Sequence, residues 1–272
     1  MVRSINHWIV GGKTRMDLGL EGRVVFVAGG SRGIGLGIAE VCLQEGARVA
    51  LTARGSDALE LTIQRLRTEY GNDRAWGISG DMRHTPDVER ALQQCESEFG
   101  EIFGLVANVG IHPCPPGFEV DDDTWYAGLN QNIGASFRLA RGALRRMTPR
   151  RVGSIVMISS IAGVAAMGAP LTYGTSKAAL NHLGAELARL AGPSGIRVNT
   201  IAPGNVLFPG GEWESRLSGP RGDAWERWIN REVPLGRFGE PAEIARMTVF
   251  ALSPAASFLT GSLLVVDGGQ TR

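Results

Sequence analysis

Val24-Val25-Phe26-Val27-Ala28 runs into Gly29-Gly30-Ser31-Arg32-Gly33-Ile34-Gly35, and the apolar positions Ile34, Ile38, Val41 and Cys42 follow before Gly46. Five consecutive apolar residues bounded by glycine read as a buried strand. The spacing i, i+4, i+7, i+8 that follows is one face of a helix, and Gly46 is its stop signal. A strand that enters a helix through a glycine-rich turn is half of a βαβ unit, and the rest of the chain repeats that alternation.

Arg48–Ala53 reads as the next strand. Ser56 is expected to cap a helix carrying Leu59, Ile63, Leu66 and Tyr70, and Thr85-Pro86 to open another through Val88, Leu92, Cys95 and Phe99. Ala75–Ser79 lies between them as a weaker strand. Ile102–Ala107, Ser154–Ile158, Arg197–Ile201 and Ser262–Val266 supply four more, separated by helices near 122–147, 173–191 and 241–252. The helix near 122–147 is expected to face the core through Leu129, Ile133 and Phe137, and that near 173–191 through Leu180, Leu183, Leu187 and Leu190. About seven parallel strands with helices on both faces make a doubly wound α/β sheet, whose ligand belongs in the loops at the carboxyl ends of the strands.

The 272 residues carry 28 basic and 27 acidic side chains, a net charge of +1 that leaves no global field for a nucleic-acid backbone. The apolar runs are far shorter than the roughly 18 to 20 residues that cross a bilayer. Cys42, Cys95 and Cys114 are too few and too scattered for a disulfide framework or a zinc site, so no metal is expected and a reducing cytoplasm fits. Residues 1–15 have no secretory apolar core and are expected to be a tail outside a single domain spanning 16–272.

Glycines at 29, 33 and 35 let the backbone approach a pyrophosphate, and the free N–H groups and dipole of the following helix favour its charge. An acidic residue at the end of the second strand would mark NAD, but that strand ends Leu51-Thr52-Ala53-Arg54. Arg54 and Arg32 suit a 2′-phosphate, which points to NADP(H); each also reads as a solvated surface cation. Asp81 is placed to accept from an adenine amino group or to serve as a loop residue before a helix.

Tyr173 and Lys177 are four residues apart, on one helix face. A phenol acts at neutral pH only if its anion is stabilised, and an adjacent ammonium does that. Only Lys13 and Lys177 are lysines in a chain that otherwise uses arginine, which singles out Lys177. Ser160, after the fifth strand, would hold a substrate oxygen, or Ser159 and Ser160 would satisfy loop backbone groups. Asn132 would bind a water beside Lys177, or simply a backbone group.

Taken together, these residues make the chain resemble the short-chain dehydrogenase/reductases from about residue 20 to 270. The resemblance rests on Gly29-x-x-x-Gly33-x-Gly35, Asp81, Asn108-Val109-Gly110, Asn132, Ser160, Tyr173-x-x-x-Lys177, Asn199, Pro203-Gly204 and Val266-Asp267-Gly268-Gly269. It implies a single Rossmann-like domain and an NADP(H)-dependent ketoreductase, most similar in motif set to 3-oxoacyl thioester reductases. Tyr173 would be the acid/base, Ser160 would orient the carbonyl, Lys177 would lower the phenol pKa and bind the nicotinamide ribose, and Asn132 would hold a water. The cofactor would touch Gly29, Ser31, Arg32, Gly33, Ile34, Gly35, Arg54, Asp81, Met82, Asn108, Gly110, Pro203, Gly204 and Val206. Two positions depart from the family pattern: Ala107 replaces an asparagine that braces the sheet, and Phe208 replaces a threonine that contacts the carboxamide.

Residues 205–235 occupy the position of a substrate lid. Trp213, Trp225 and Trp228 there read either as anchors over an apolar substrate or as a packed helical pair, and Phe118, Trp125 and Met167 are further candidates for the pocket. The resemblance also implies a homotetramer. The alternatives are oxidation of a sugar, cyclic alcohol or secondary metabolite by the same site, and a non-catalytic NADP(H)-binding regulator. Binding to an acyl carrier protein or nucleic acid through Arg138, Arg141, Arg145 and Arg146 competes with a solvated helix face.

Overall fold

The computed structural model describes residues 16–110, 115 and 117–271. The readings of residues 1–15 and of Cys114 fall outside them.

Seven strands form one sheet in the order β3-β2-β1-β4-β5-β6-β7, every neighbouring pair parallel. They are β1 (Val24–Ala28), β2 (Arg48–Ala53), β3 (Ala75–Ser79), β4 (Ile102–Ala107), β5 (Gly153–Ile158), β6 (Ile196–Pro203) and β7 (Leu263–Val266). Strands β1 and β5 are buried throughout, because helices cover both faces and leave their side chains no solvated side. Helices α1 (Gly33–Gln44) and α2 (Ser56–Tyr70) pack on one face through Ile38, Cys42, Leu59, Ile63 and Leu66. Helix α3 (Thr85–Phe99) packs on the other through Val88, Leu92 and Cys95.

Next come α4 (Asp122–Leu129) and α5 (Ala135–Arg150), joined by a π-helical turn at Asn130–Gly134. Then follow α6 (Leu171–Ala191), the short pair α7 (Glu212–Leu217) and α8 (Gly222–Glu232), and α9 (Pro241–Leu252), which returns to the face of α1. Arg197 on β6 donates to the carbonyls of Ala251, Leu252, Ser253 and Leu259, and so closes the carboxyl end of α9, where helix carbonyls lack intrahelical partners. None of the described helices is long and apolar enough to cross a membrane.

Three local expectations are corrected. Gly55, not Ser56, stands at the N-cap of α2, since the Ser56 hydroxyl turns sideways to Asp57 Oδ1 at 2.8 Å. On the 122–150 stretch the buried residues are Gln131, Asn132, Ala135, Ser136, Leu139 and Ala140, while Phe137 is exposed. The π turn holds five residues, which advances the phase of the helix and turns the polar pair inward. On α6 the inward line runs through Thr172, Ser176, Lys177, Leu180, Gly184 and Ala188, and Leu190 faces outward.

The arginines of α5 meet the acids of α3: Arg146 pairs with Glu89 at 2.9 Å and with Glu96 at 3.1 Å, and Arg145 lies 3.6 Å from Glu89. That part of the basic cluster is spent within the fold.

Candidate active site

The sheet order reverses between β1 and β4, and there the carboxyl ends of the strands part to form a crevice. Asn108, just after β4, donates from Nδ2 to Gly29 O at 2.9 Å and ties the two halves together. Gly29 has φ of +72° and Gly33 of +55°, the left-handed region where glycine is the unstrained residue. A β-carbon on Gly35 would fall 2.0 Å from Gly29 O, so the turn closes only on glycine. The first residues of α1 therefore present their backbone N–H groups at the floor of the crevice.

A cleft of about 300 Å³ runs along this edge, lined by Gly29, Ser31, Arg32 and Ile34, by Thr52, Ala53 and Arg54, and by Asp81 and Met82. Gly80, Asn108, Val109, Gly110, Gln131, Ile158, Ser159, Tyr173, Lys177 and Phe208 complete it. Arg54 is exposed at the β2 end and makes no hydrogen bond or ion pair with a described residue. Arg32 does not stand beside it unengaged: its Nη1 donates to Gly210 O at 3.0 Å. Asp81 is held by Arg83, whose Nε donates to both carboxylate oxygens, and this guanidinium keeps the carboxyl below its ordinary range.

At the other end lie Tyr173 and Lys177, one helical turn apart on α6. Lys177 is buried, with Nζ donating to Ile158 O at 2.9 Å and standing 5.6 Å from the centre of the Tyr173 ring. Burial pushes its ammonium down to about 8. The backbone of Gly110 passes so close that a β-carbon there would lie 2.9 Å from Asn132 Oδ1 and 3.0 Å from Lys177 Nζ. Asn132 Nδ2 donates to Gly128 O at 2.9 Å, the backbone bond that was its plainer reading. Ser159 Oγ donates to Lys177 O, and Ser160 Oγ accepts from Ala162 N at 3.2 Å while interacting with the Tyr173 phenol.

The expected lowering of the phenol pKa is reversed in the protein alone. Burial of Tyr173 raises it, and Ser160 only partly opposes that. Lys177 is turned to the Ile158 carbonyl and is itself short of hydration, so it does not overcome the desolvation of its neighbour.

Pro203, Gly204 and Val206 do not line this cleft. Gly204 and Val206 border a second cavity of about 110 Å³ with Val233, Leu235, Arg237 and Asp267. Asn132, Ser160, Gly33 and Gly35 are not among the residues that line it, although Ser160 reaches the lining residue Tyr173. Phe118, Trp125 and Met167 are absent from it too. Phe208 lies over the phosphate loop: a β-carbon on Gly33 would meet its ring at 2.6 Å. The three tryptophans do not reach the cleft but pack on one another, with Trp213 5.7 Å from Trp225, 5.9 Å from Trp228 and 5.2 Å from Phe238 between ring centres. The site residues expected from the sequence did not include Thr52, Ala53, Gly80, Val109, Gln131, Ile158, Ser159 and Phe208, which also line the cleft, and each of these stands within two residues of an expected one.

The family described as Enoyl-(Acyl carrier protein) reductase matches residues 28–271. The chain belongs to the short-chain dehydrogenase/reductase family and is an oxidoreductase of it. It is 33% identical to the 2-(S)-hydroxypropyl-CoM dehydrogenase 3 of Xanthobacter autotrophicus over 93% of this chain and 98% of that one. It is 31% identical to the 3-oxoacyl-[acyl-carrier-protein] reductase of Vibrio cholerae over 93% of this chain and 99% of the other. Among solved structures, the L-sorbose reductase of Gluconobacter frateurii, complexed with NADPH and L-sorbose, superposes with a TM-score of 0.88 at 32% identity, covering 94% of this chain and 99% of that one.

Proposed function

We propose that the protein is an NADP(H)-dependent reductase that converts a ketone or other carbonyl to a secondary alcohol, with Tyr173 as the proton donor. One observation carries this reading: the Tyr173 phenol, the Lys177 ammonium and a glycine-bounded helix N-terminus border one cleft. The cleft fits a nicotinamide dinucleotide, since Arg54 is unpaired at one end and the buried Thr52 hydroxyl has no partner among the described residues. The residues to hold it are Gly29, Ser31 and Ile34 at the diphosphate, Arg54 with Arg32 at a 2′-phosphate, and Lys177 at the ribose of the reacting end. When bound, that cofactor supplies the hydride.

The chain's own part is proton transfer and orientation. Burial keeps Tyr173 protonated at neutral pH, which suits an acid that donates from its phenolic oxygen to the substrate oxygen. Ser160 orients that oxygen, and the charge on Lys177 favours the phenolate left behind. Asn132, beside Lys177, holds its part of the helix at the π turn and gives a water a place to return the proton. Phe208 and Gly210, at the near end of segment 205–235, form a cover over the cofactor loop, so that segment serves as a lid.

The nature of the substrate follows the relatives only as far as a polar carbonyl: a ketose, as the L-sorbose complex suggests, or a 3-oxoacyl thioester. The same site run backwards would oxidise the corresponding alcohol. A homotetramer is part of the proposal, supported by exposed Tyr126 and Phe137 on α4 and α5, Leu171 on α6 and Leu263 on β7. Light scattering that returned a monomer would remove it.

The test follows loss of NADPH absorbance with ketoses, 3-oxoacyl thioesters and cyclic diketones, and with NADH in place of NADPH. Turnover that prefers NADPH and vanishes in Tyr173→Phe supports the reading. An Arg54→Ala variant that left the preference for NADPH intact would refute the role given to that residue.

A further inference from the structure

Gln131 has no place in the reading so far. It stands in the π turn between α4 and α5, directly before Asn132, and both residues are buried there. Gln131 retains only 8% of its exposure, yet it lines the cleft. Its carboxamide makes no hydrogen bond with any described residue, whereas the neighbouring Asn132 is bonded to Gly128 O. The amide is not one of the buried side-chain atoms left without a partner, so although the residue as a whole is packed in the fold, its polar end is open to the cleft. A carboxamide held by no protein group at the wall of a binding cleft is available to a ligand.

A side-chain amide offers two donors and one acceptor on a rigid plane. Along the cleft, the phosphate end is already served by backbone N–H groups and by Arg54, and the reacting end by Tyr173, Lys177 and Ser160. A dinucleotide also carries two sugars, whose several hydroxyls both donate and accept and which Lys177 alone does not satisfy. We propose that Gln131 is a cofactor-binding residue whose carboxamide takes a ribose hydroxyl shared by NADH and NADPH. The inference rests on the dinucleotide reading above and adds a contact that the glycine loop and the arginines do not make. It separates two tasks: Arg54 distinguishes the phosphorylated cofactor from the unphosphorylated one, and Gln131 strengthens both alike.

The experiment compares the full-length protein with Gln131→Met, close in shape but without the amide, and with Gln131→Leu as a second replacement. Binding of NADPH and of NADH is measured by calorimetry, and thermal stability is measured without cofactor. The expected result is that both dissociation constants rise about tenfold, the scale of one lost hydrogen bond to a buried group, while their ratio is unchanged. The thermal midpoint of the free protein should stay level, because the amide that is removed makes no hydrogen bond within the fold. Unchanged affinities would overturn the inference, as would a loss of binding accompanied by a fall in the midpoint of both variants, which would make Gln131 a structural residue. If the wild type binds neither NADPH nor NADH, the dinucleotide reading fails first; if it binds both and the variants bind equally well, only the role of Gln131 fails.

Discussion

Phe26 and Trp213 are both large aromatic side chains, and they belong to opposite regimes of this molecule. Phe26 is fully buried at the centre of β1, within a layer that includes Leu92, Leu105, Leu139 and Met157 from four other elements. Trp213 is half-buried, and its ring neighbours are Trp225, Trp228, Phe238 and the guanidinium of Arg216. The first side chain is fixed by a sheet that many elements share; the second by a local cluster that its own segment and the adjoining Phe238 make. That segment is pinned at both ends: Leu207 N donates to Gly239 O, Gly239 N to Asn205 O and Asn205 Nδ2 to Gln270 Oε1, while Leu235 N donates to Gly268 O and Ile229 and Val233 are buried. Between those ends its hold on the cleft is the Arg32–Gly210 bond and the Phe208 ring on Gly33. A segment fixed at its two ends, with its aromatic cluster between them, can shift over the cleft without unfolding the frame, which is what a cover over a binding cleft requires.

The largest effect belongs to the frame's chemistry. Tyr173→Phe should lower carbonyl-reduction turnover by about 10² to 10⁴ with little change in the thermal midpoint; a residual rate near the wild type's would take the acid role away from Tyr173.

Next comes the packing contrast. Phe26→Ala should cost roughly 3 to 5 kcal/mol in denaturant unfolding, because it empties a closed core. Trp213→Ala should leave the frame's unfolding midpoint nearly unchanged while speeding proteolysis within 205–235. Equal losses of global stability would show that the two regions are one cooperative unit and that the comparison is mistaken.

Lys177 makes the frame's site distinct in pH. Its ammonium is held down to about 8 by burial, against an ordinary value of 10.5. Below about pH 8 the buried residue is charged and burdens the fold; between about 8 and 10.5 the unfolded chain binds more protons than the native one, so stability rises with pH. The difference corresponds to about 3 kcal/mol in order of magnitude. Lys177→Met should therefore stabilise the protein at pH 7 while it removes activity, and in the wild type kcat/KM for reduction should fall above about pH 8. A flat profile to pH 10 would place the titration elsewhere.

The smallest effect tests the tie between the regions. Arg32→Ala removes the bond to Gly210 O and should change the tryptophan fluorescence of the cofactor-free protein by loosening the Trp213 cluster's anchorage, while NADPH affinity weakens by a few fold. An identical emission spectrum would indicate that Phe208 alone holds the cover.

The strands were legible because each is a short run of apolar residues closed by glycine or a polar turn, and such runs depend on nearest neighbours. The boundaries of β1 to β4 coincide with those expected; β5 begins one residue earlier, β6 begins one residue earlier and ends two later, and β7 begins one residue later. The four-residue spacing of Tyr173 and Lys177 is equally local, because α6 is a regular helix there. The phase of the 122–150 helix was not legible: Ile133 and Phe137 look like a core stripe, but the π turn rotates them outward and brings in Gln131 and Asn132.

The sequence by itself determined the alternation of strand and helix, the glycines where backbone meets backbone, the basic end of β2 and the spacing of the reactive pair. Only the tertiary structure decided that Arg32 is bonded to the cover, that the tryptophans meet one another rather than the cleft, that Gly204 and Val206 border a second cavity, and that burial raises the Tyr173 phenol and lowers the Lys177 ammonium. The reason is physical. Periodicity and turn chemistry are properties of a few consecutive residues, whereas desolvation, hydrogen-bond partners and helix phase are set by groups that the fold brings together from far along the chain.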